Sequence, residues 1–126
     1  MSEPIIFVDS SEVREGELEE LEVAIRDLAA FVEANEPRPI LYHVFLDPAG
    51  ATITVVQVHP DSASMEAHME MGGPVFARFV DLVQMRTMDI YGKPSEALVD
   101  AMTAKARMLG APGVTVHDLH AGFARL

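Results

Sequence analysis

The chain has no cysteine and no tryptophan, a single asparagine, two tyrosines, and nine basic residues against twenty acidic ones. Each scarcity excludes something. Without cysteine there is no disulfide, no thiolate metal site and no cysteine nucleophile, which fits a reducing compartment. The nine Lys and Arg are scattered, whereas nucleic-acid binding needs a basic footprint. The acid is concentrated in "SEVREGELEELEVAIRDLAAFVEANE", read as a solvated helix face that favours solubility and opposes anionic partners. "MSEPIIFVDSSEV" has no basic leader and no long apolar run, so a signal peptide is not expected. No stretch of about 18 apolar residues suggests a membrane span. A cytoplasmic protein with neither nucleic-acid nor membrane partners is the expectation.

What the chain does have is 126 residues, 49% of them hydrophobic and mostly aliphatic or Met. That is enough for one domain, 1–126, around one sizeable core. "PIIFVDSS" reads as a strand. Leu18, Leu21, Ile25, Leu28 and Val32 mark one face of a following helix. The prolines of "NEPRP" end that helix. "ILYHVFLDPAGATITVVQVH" reads as a hairpin, because Asp47-Pro48-Ala49-Gly50 suits a type I turn. Asp61 or Ser62 caps the helix that follows. "GGP" is expected to break it, with Pro74 opening a second helix, "PVFARFVDLV". "MRTMDIYG" reads as a strand. A helix with Ser95 near its start and Gly110 just past its end comes next, and "VTVHDLHAGFARL" is expected as a final strand.

With the broken helix merged, the first six elements form the β-α-β-β-α-β order of a ferredoxin-like α+β sheet over 4–92. Residues 93–126 add a helix and strand. Both faces of "IIFVDSS" and "ILYHVFL" carry apolar residues, whereas a sheet with one wet face should alternate. Helices cover one face, so a second copy of the chain is expected over the other. Two sheets face to face make a closed barrel able to hold a small ligand, and the expectation is a homodimer.

The segment "YHVFLDPAGATITVVQVHPDSASMEAHMEMGGPVFARFVDLV" resembles the antibiotic-biosynthesis-monooxygenase-like domains of the dimeric α+β barrel superfamily. The likeness runs from Pro4 to Gly92. It is carried by the hairpin, by the Ala67-His68 pair on the next helix, and by Phe76 or Phe79 beyond it. It implies a ferredoxin-like homodimer with a pocket between sheet and helices, binding a small apolar or aromatic molecule. Relatives oxygenate quinols or polyketide-derived aromatics with neither metal nor flavin. Others degrade haem, isomerise small molecules or have no demonstrated activity. Trp and Asn commonly line the oxygenase sites, but this chain has no Trp, and its Asn35 lies at the exit of the first helix.

His68 is the first candidate. Met65 and Met69 define the inner face of its helix, and His68 stands about 60° to one side. A cofactor-free oxygenase needs a base to form the substrate anion, and histidine can take a proton near neutral pH. The alternative is a half-buried helix histidine with a backbone or water partner. His43 is a second acid-base candidate if its side of the strand is the pocket side. Tyr42 must then face the other way. His59, beside a Pro-Asp turn, is expected at the surface. Met65, Met69, Phe76 and Phe79 are candidate ligand contacts, since Met-rich walls suit variable apolar ligands and equally suit core packing. Arg86 could hold a phenolate or carboxylate, and strand parity sets it opposite Asp89. His117 and His120 would face opposite ways on a strand, and zinc wants three or four ligands. No metal and no cofactor are expected. Three functions stay open: a cofactor-independent monooxygenase, a non-catalytic ligand-binding or structural dimer, and a small-molecule isomerase.

Overall fold

The computed structural model describes residues 3–126. In chain order the elements are β1 (Ile5–Val13), α1 (Leu18–Asn35), β2 (Leu41–Leu46), β3 (Thr52–His59), α2 (Ser62–Phe76), a 3-10 turn (Ala77–Phe79), β4 (Val83–Tyr91), α3 (Glu96–Met108) and β5 (Thr115–His117). The strands form one mixed sheet in the order β2-β3-β1-β4-β5. The first four pair antiparallel, and β5 runs parallel to β4. This is the expected ferredoxin-like plan with one strand added at its edge. The added strand completes its own chain's sheet. It is only three residues long, so the long strand expected to close the chain is not formed, and residues 118–126 are irregular.

Local chemistry accounts for the boundaries. Asp47 accepts the Gly50 amide at 2.9 Å, and Gly50 has φ +68°, which closes the β2–β3 turn at low cost only for glycine. The Asp61 carboxylate caps α2 by accepting the Ser64 amide at 2.9 Å. Ser95 caps α3 in the same way through the Leu98 amide. The expected break at Gly72-Gly73-Pro74 does not occur: α2 runs through it to Phe76, and only then tightens into the 3-10 turn. Gly72 lets the Phe76 ring pack directly on the helix backbone, and burial of Phe76 and Phe79 outweighs the local cost of the proline.

Three helices lie on one face of the sheet. Leu21, Ala24, Leu28 and Val32 of α1, Met65, His68 and Phe76 of α2, and Leu98, Met102 and Ala106 of α3 are buried there. They meet Ile5, Phe7, Ile53, Met85, Met88 and Ile90 from the strands. Each fully buried large side chain contributes roughly 1.5–3 kcal/mol. Among the described residues no helix covers the opposite face. It carries Ile6, Phe45 and Tyr91, which are 39%, 52% and 39% exposed, with His43 among them.

A bulge changes one expectation. Ser10 pairs with Thr87 but Ser11 pairs with Met85, which leaves Arg86 as the extra residue of β4. The alternation slips there, and Arg86 reaches the Glu12 carboxylate on the helix-free side, the same side as Asp89. The expected opposition of Arg86 and Asp89 is therefore lost.

Candidate active site

Alternation along the strands decides which side chains face the helices. On β1 these are Ile5, Phe7, Asp9 and Ser11, and on β3 they are Ile53, Gln57 and His59. Apolar packing is thus interrupted by a row of polar groups under α1, α2 and α3. Beside them lies a cavity of about 50 Å³, walled by Asp9, Tyr42, Gln57, Phe76, Phe79 and Lys105, with aliphatic and Met85 side chains between them.

His68 is fully buried on α2. Its Nδ1 lies 2.9 and 3.0 Å from the two carboxylate oxygens of Glu36. Glu36 follows α1 with φ −119° and ψ 101°, the extended conformation that Pro37 imposes on its predecessor. That turn takes the carboxylate off the solvated helix face and into the interior, where the residue is 7% exposed. A carboxylate oxygen accepts, so Nδ1 is the donor in this contact. Nε2 is buried with no hydrogen-bond partner among the described residues. The ring is flanked by Tyr42 and Phe76, centroids 5.7 and 5.5 Å away, and both of these wall the cavity.

His59 is not at the surface: it is completely buried. It shares the parity of Ile53 and Gln57 on β3, and this overrides the turn that follows it. Its Nε2 donates to Gln57 Oε1 at 2.9 Å, and its Nδ1 accepts from the Ser64 hydroxyl at 2.8 Å. Burial, with the nearby His68 as the next cause, pulls its pKa down to about 4, so this imidazole is neutral. The Gln57 amide nitrogen, on the cavity wall, has no partner.

Asp9 is 5% exposed, and no side-chain hydrogen bond reaches it among the described residues. Burial raises its pKa to about 6, against the lowering effect of the Lys105 charge. Lys105 comes from α3 and places its ammonium 3.9 Å from the Phe76 ring centroid and 5.5 Å from that of Phe7. Desolvation lowers its pKa, while Asp9 works in the opposite direction. Burial, then the charges of Asp9 and Glu36, raise the Tyr42 pKa, so its hydroxyl remains protonated.

Of the residues singled out from the sequence, Phe76 and Phe79 wall this cavity, and His68 packs behind Phe76 without lining it. Met65 is in the core next to it, while Met69 borders a shallow surface groove with Glu66, Glu70 and Ala101. His43 is exposed on the helix-free face, edge-on to Phe45 at 5.8 Å. Arg86 is also on that face, ion-paired to Glu12, so Lys105 is the cation at the cavity. His117 sits on the same side, 2.8 Å from Asp89 and stacked on Tyr91. Among the described residues no three His, Asp or Glu side chains converge as metal ligands. Among the described residues no helix is long and apolar enough to cross a membrane.

No protein-family model matches the chain, and no curated protein matches it. Solved structures do. MupZ from Pseudomonas fluorescens superposes with a TM-score of 0.76 at 18% identity, covering 99% of this chain and 91% of MupZ. SnoaB from Streptomyces nogalater, a cofactor-independent oxygenase, gives 0.62 at 16% identity, covering 75% of this chain and 96% of SnoaB. A candidate antibiotic biosynthesis monooxygenase from Bacteroides thetaiotaomicron gives 0.58 at 15%, covering 70% and 85%. At such identities the likeness concerns architecture, and the chemistry rests on the site itself. The chain therefore shares its ferredoxin-like α+β fold with MupZ, SnoaB and the candidate antibiotic biosynthesis monooxygenase.

Proposed function

We propose that this protein is a homodimeric, cofactor-independent oxygenase of a small aromatic or quinol-type molecule, with His68 as its general base. The observation that carries the reading is the His68 ring, held at Nδ1 by Glu36, with an Nε2 unpartnered among the described residues, and packed against Tyr42 and Phe76, which wall the cavity. The carboxylate fixes the tautomer and stabilises the imidazolium that forms on proton uptake. A positioned base of this kind is worth about 10²–10⁴ in rate. In the reaction, His68 Nε2 takes a proton from an activated CH₂ or phenolic hydroxyl. The resulting anion gives up electrons to O₂. For an anthrone-type substrate the CH₂ becomes C=O, with one oxygen atom entering the product and the other leaving as water. The fold of SnoaB, itself a cofactor-independent oxygenase, supports this choice of reaction.

Size constrains the substrate. A benzene ring fits an apolar cavity of about 150 Å³ in an engineered lysozyme, and the cavity here is about 50 Å³. A whole ring needs the walls to move. Met85, unbranched and with rotatable bonds, is the wall residue suited to yield. The exposed apolar face bearing Ile6, Phe45 and Tyr91 supports the homodimer.

A second reading is a binding protein without catalysis. Asn35 favours it: its amide donates to the Phe31 carbonyl at the exposed end of α1, remote from the cavity walls. The experiment is oxygen uptake with a panel of anthrones and quinols. Under the first reading His68→Ala lowers uptake at least about 10²-fold. Uptake indifferent to that change removes His68 from the mechanism. No turnover, but thermal stabilisation by the same compounds, selects the binding protein. Turnover without oxygen consumption points to an isomerase.

A further inference from the structure

Asp9 and Lys105 wall the same cavity with opposite charges, yet they do not close to the 4.0 Å of a salt bridge. Among the described residues neither has a side-chain hydrogen bond to another side chain or to the backbone. This is an unusual state for a carboxylate that is 5% exposed. A buried charge without a partner is costly, and such groups are ordinarily paired. The Lys105 ammonium is held against the faces of Phe76 and Phe7, which restrains it on the cavity side of α3. The Gln57 amide nitrogen adds a third unpartnered polar group on the wall. The remaining surroundings are mostly apolar, including Ile53 and Val83, with Ser11 and Tyr42 as the other polar side chains on the wall.

We infer that Asp9 and Lys105 form a receptor for the hydroxyl group of an otherwise apolar ligand, a phenol or enol, with Asp9 accepting the O–H hydrogen bond and the Lys105 ammonium donating to the same oxygen. A hydroxyl satisfies both charges at one atom, while its hydrocarbon body meets the apolar wall. Gln57 offers a further donor to a carbonyl on the same ligand. The inference rests on the cavity chosen above as the substrate site and names the polar group by which a substrate is held there. It assigns His68 no part, so it stands or falls independently of the base. The charged and titratable groups facing the pair are Tyr42 from β2 and, beyond it, Glu36 after α1. No bond is made or broken in this binding.

The test compares two molecules of one shape, phenol and toluene, binding to the full-length protein, followed by the Met85 methyl signal in NMR titrations. A site built for a hydroxyl discriminates strongly against the analogue lacking it, because its polar groups are then left unpaired. Phenol is expected to bind at least about 10-fold tighter than toluene. Asp9→Asn and Lys105→Met should each reduce that preference below about 3-fold. Equal affinities in the unaltered protein, or binding of neither molecule, would overturn the assignment, and neither result depends on a variant folding. His68→Ala should retain the phenol preference. If that preference holds while no anthrone or quinol consumes oxygen, the oxygenase reading fails and the receptor stands.

Discussion

Glu36 and His68 are 32 residues apart in sequence and meet in the interior, with both carboxylate oxygens within 3.0 Å of Nδ1. Removing the carboxylate leaves a buried N–H without an acceptor. Glu36→Ala should destabilise the fold by about 2–5 kcal/mol, whereas Glu36→Gln keeps an acceptor oxygen and should cost under about 2 kcal/mol. Urea denaturation measures both. Nitrogen-15 shifts of the His68 ring test the tautomer directly, and a hydrogen found only on Nε2 would sink the assignment of this ring as a base.

Two buried groups oppose each other in acid. The pKa of Asp9 is raised from 3.8 to about 6 in the folded chain, so its contribution is fully present below pH 3.8 and is lost as pH rises through 6. That of His59 is lowered from 6.5 to about 4, so its contribution is present above 6.5 and is lost as pH falls through 4. Each is on the order of 3 kcal/mol, and between pH 4 and 6 they offset. Asp9→Asn should therefore lose stability on acidification, relative to the unaltered protein, by roughly 2–3 kcal/mol. His59→Gln should gain over the same range. Denaturation at pH 4, 5, 6 and 7 checks this. The difference from the unaltered protein is the quantity to compare, since Glu12, Asp47 and Asp61 titrate in all three. Parallel profiles for all three proteins would refute the opposition.

Adjacent glycines in α2 should respond differently. A Cβ on Gly72 would stand 2.6 and 2.8 Å from carbons of the Phe76 ring, while one on Gly73 meets nothing within 4 Å outside its chain neighbours, of which Pro74 crowds a Cβ in a helix. In Gly73→Ala the helix-propensity gain of about 0.5–1 kcal/mol is offset by that crowding, so stability should change by less than about 1 kcal/mol. Gly72→Ala must displace the ring from the cavity wall and should destabilise by about 1–3 kcal/mol despite the same propensity gain. Thermal melts of the pair suffice, and equal shifts would contradict the packing.

Phe45 is the most exposed large hydrophobic side chain of β2. Phe45→Glu should yield a monomer by light scattering, with the circular dichroism of the unaltered protein, if this face joins two copies. A dimer that survives the change must use another surface.

How much of this was legible in the sequence depends on the range of the interaction. The Asp47–Gly50 turn, the Asp61 and Ser95 caps and the buried stripe Leu21–Leu28–Val32 are local patterns, and each is formed. Helix geometry also brought His68 to the inner edge of α2. Its partner was hidden: Glu36 closes an acidic run, and only the extended turn before Pro37 separates it from its solvated neighbours. Asp9 and Lys105 look like ordinary polar residues until β1 and α3 are laid together. His59 could have been placed by parity with Gln57 and Ile53, but the following Pro-Asp drew attention to the turn. Arg86 was misplaced because a bulge leaves no mark in the strand's own residues. The break expected at Gly72-Gly73-Pro74 failed because tertiary burial of Phe76 and Phe79 outweighs local propensity.

The two edges of the sheet are not alike. On β4 the three-residue β5 covers one end, and Leu109 accepts the Met85 amide at 2.8 Å near the other. Little of that edge is left to template another strand. The β2 edge, six residues long, has no strand beyond it. A sheet blunted on one side and open on the other can join a second sheet through β2 but cannot grow further once it has done so. Edge-to-edge misassembly of this chain should therefore terminate at two copies rather than propagate into a fibre.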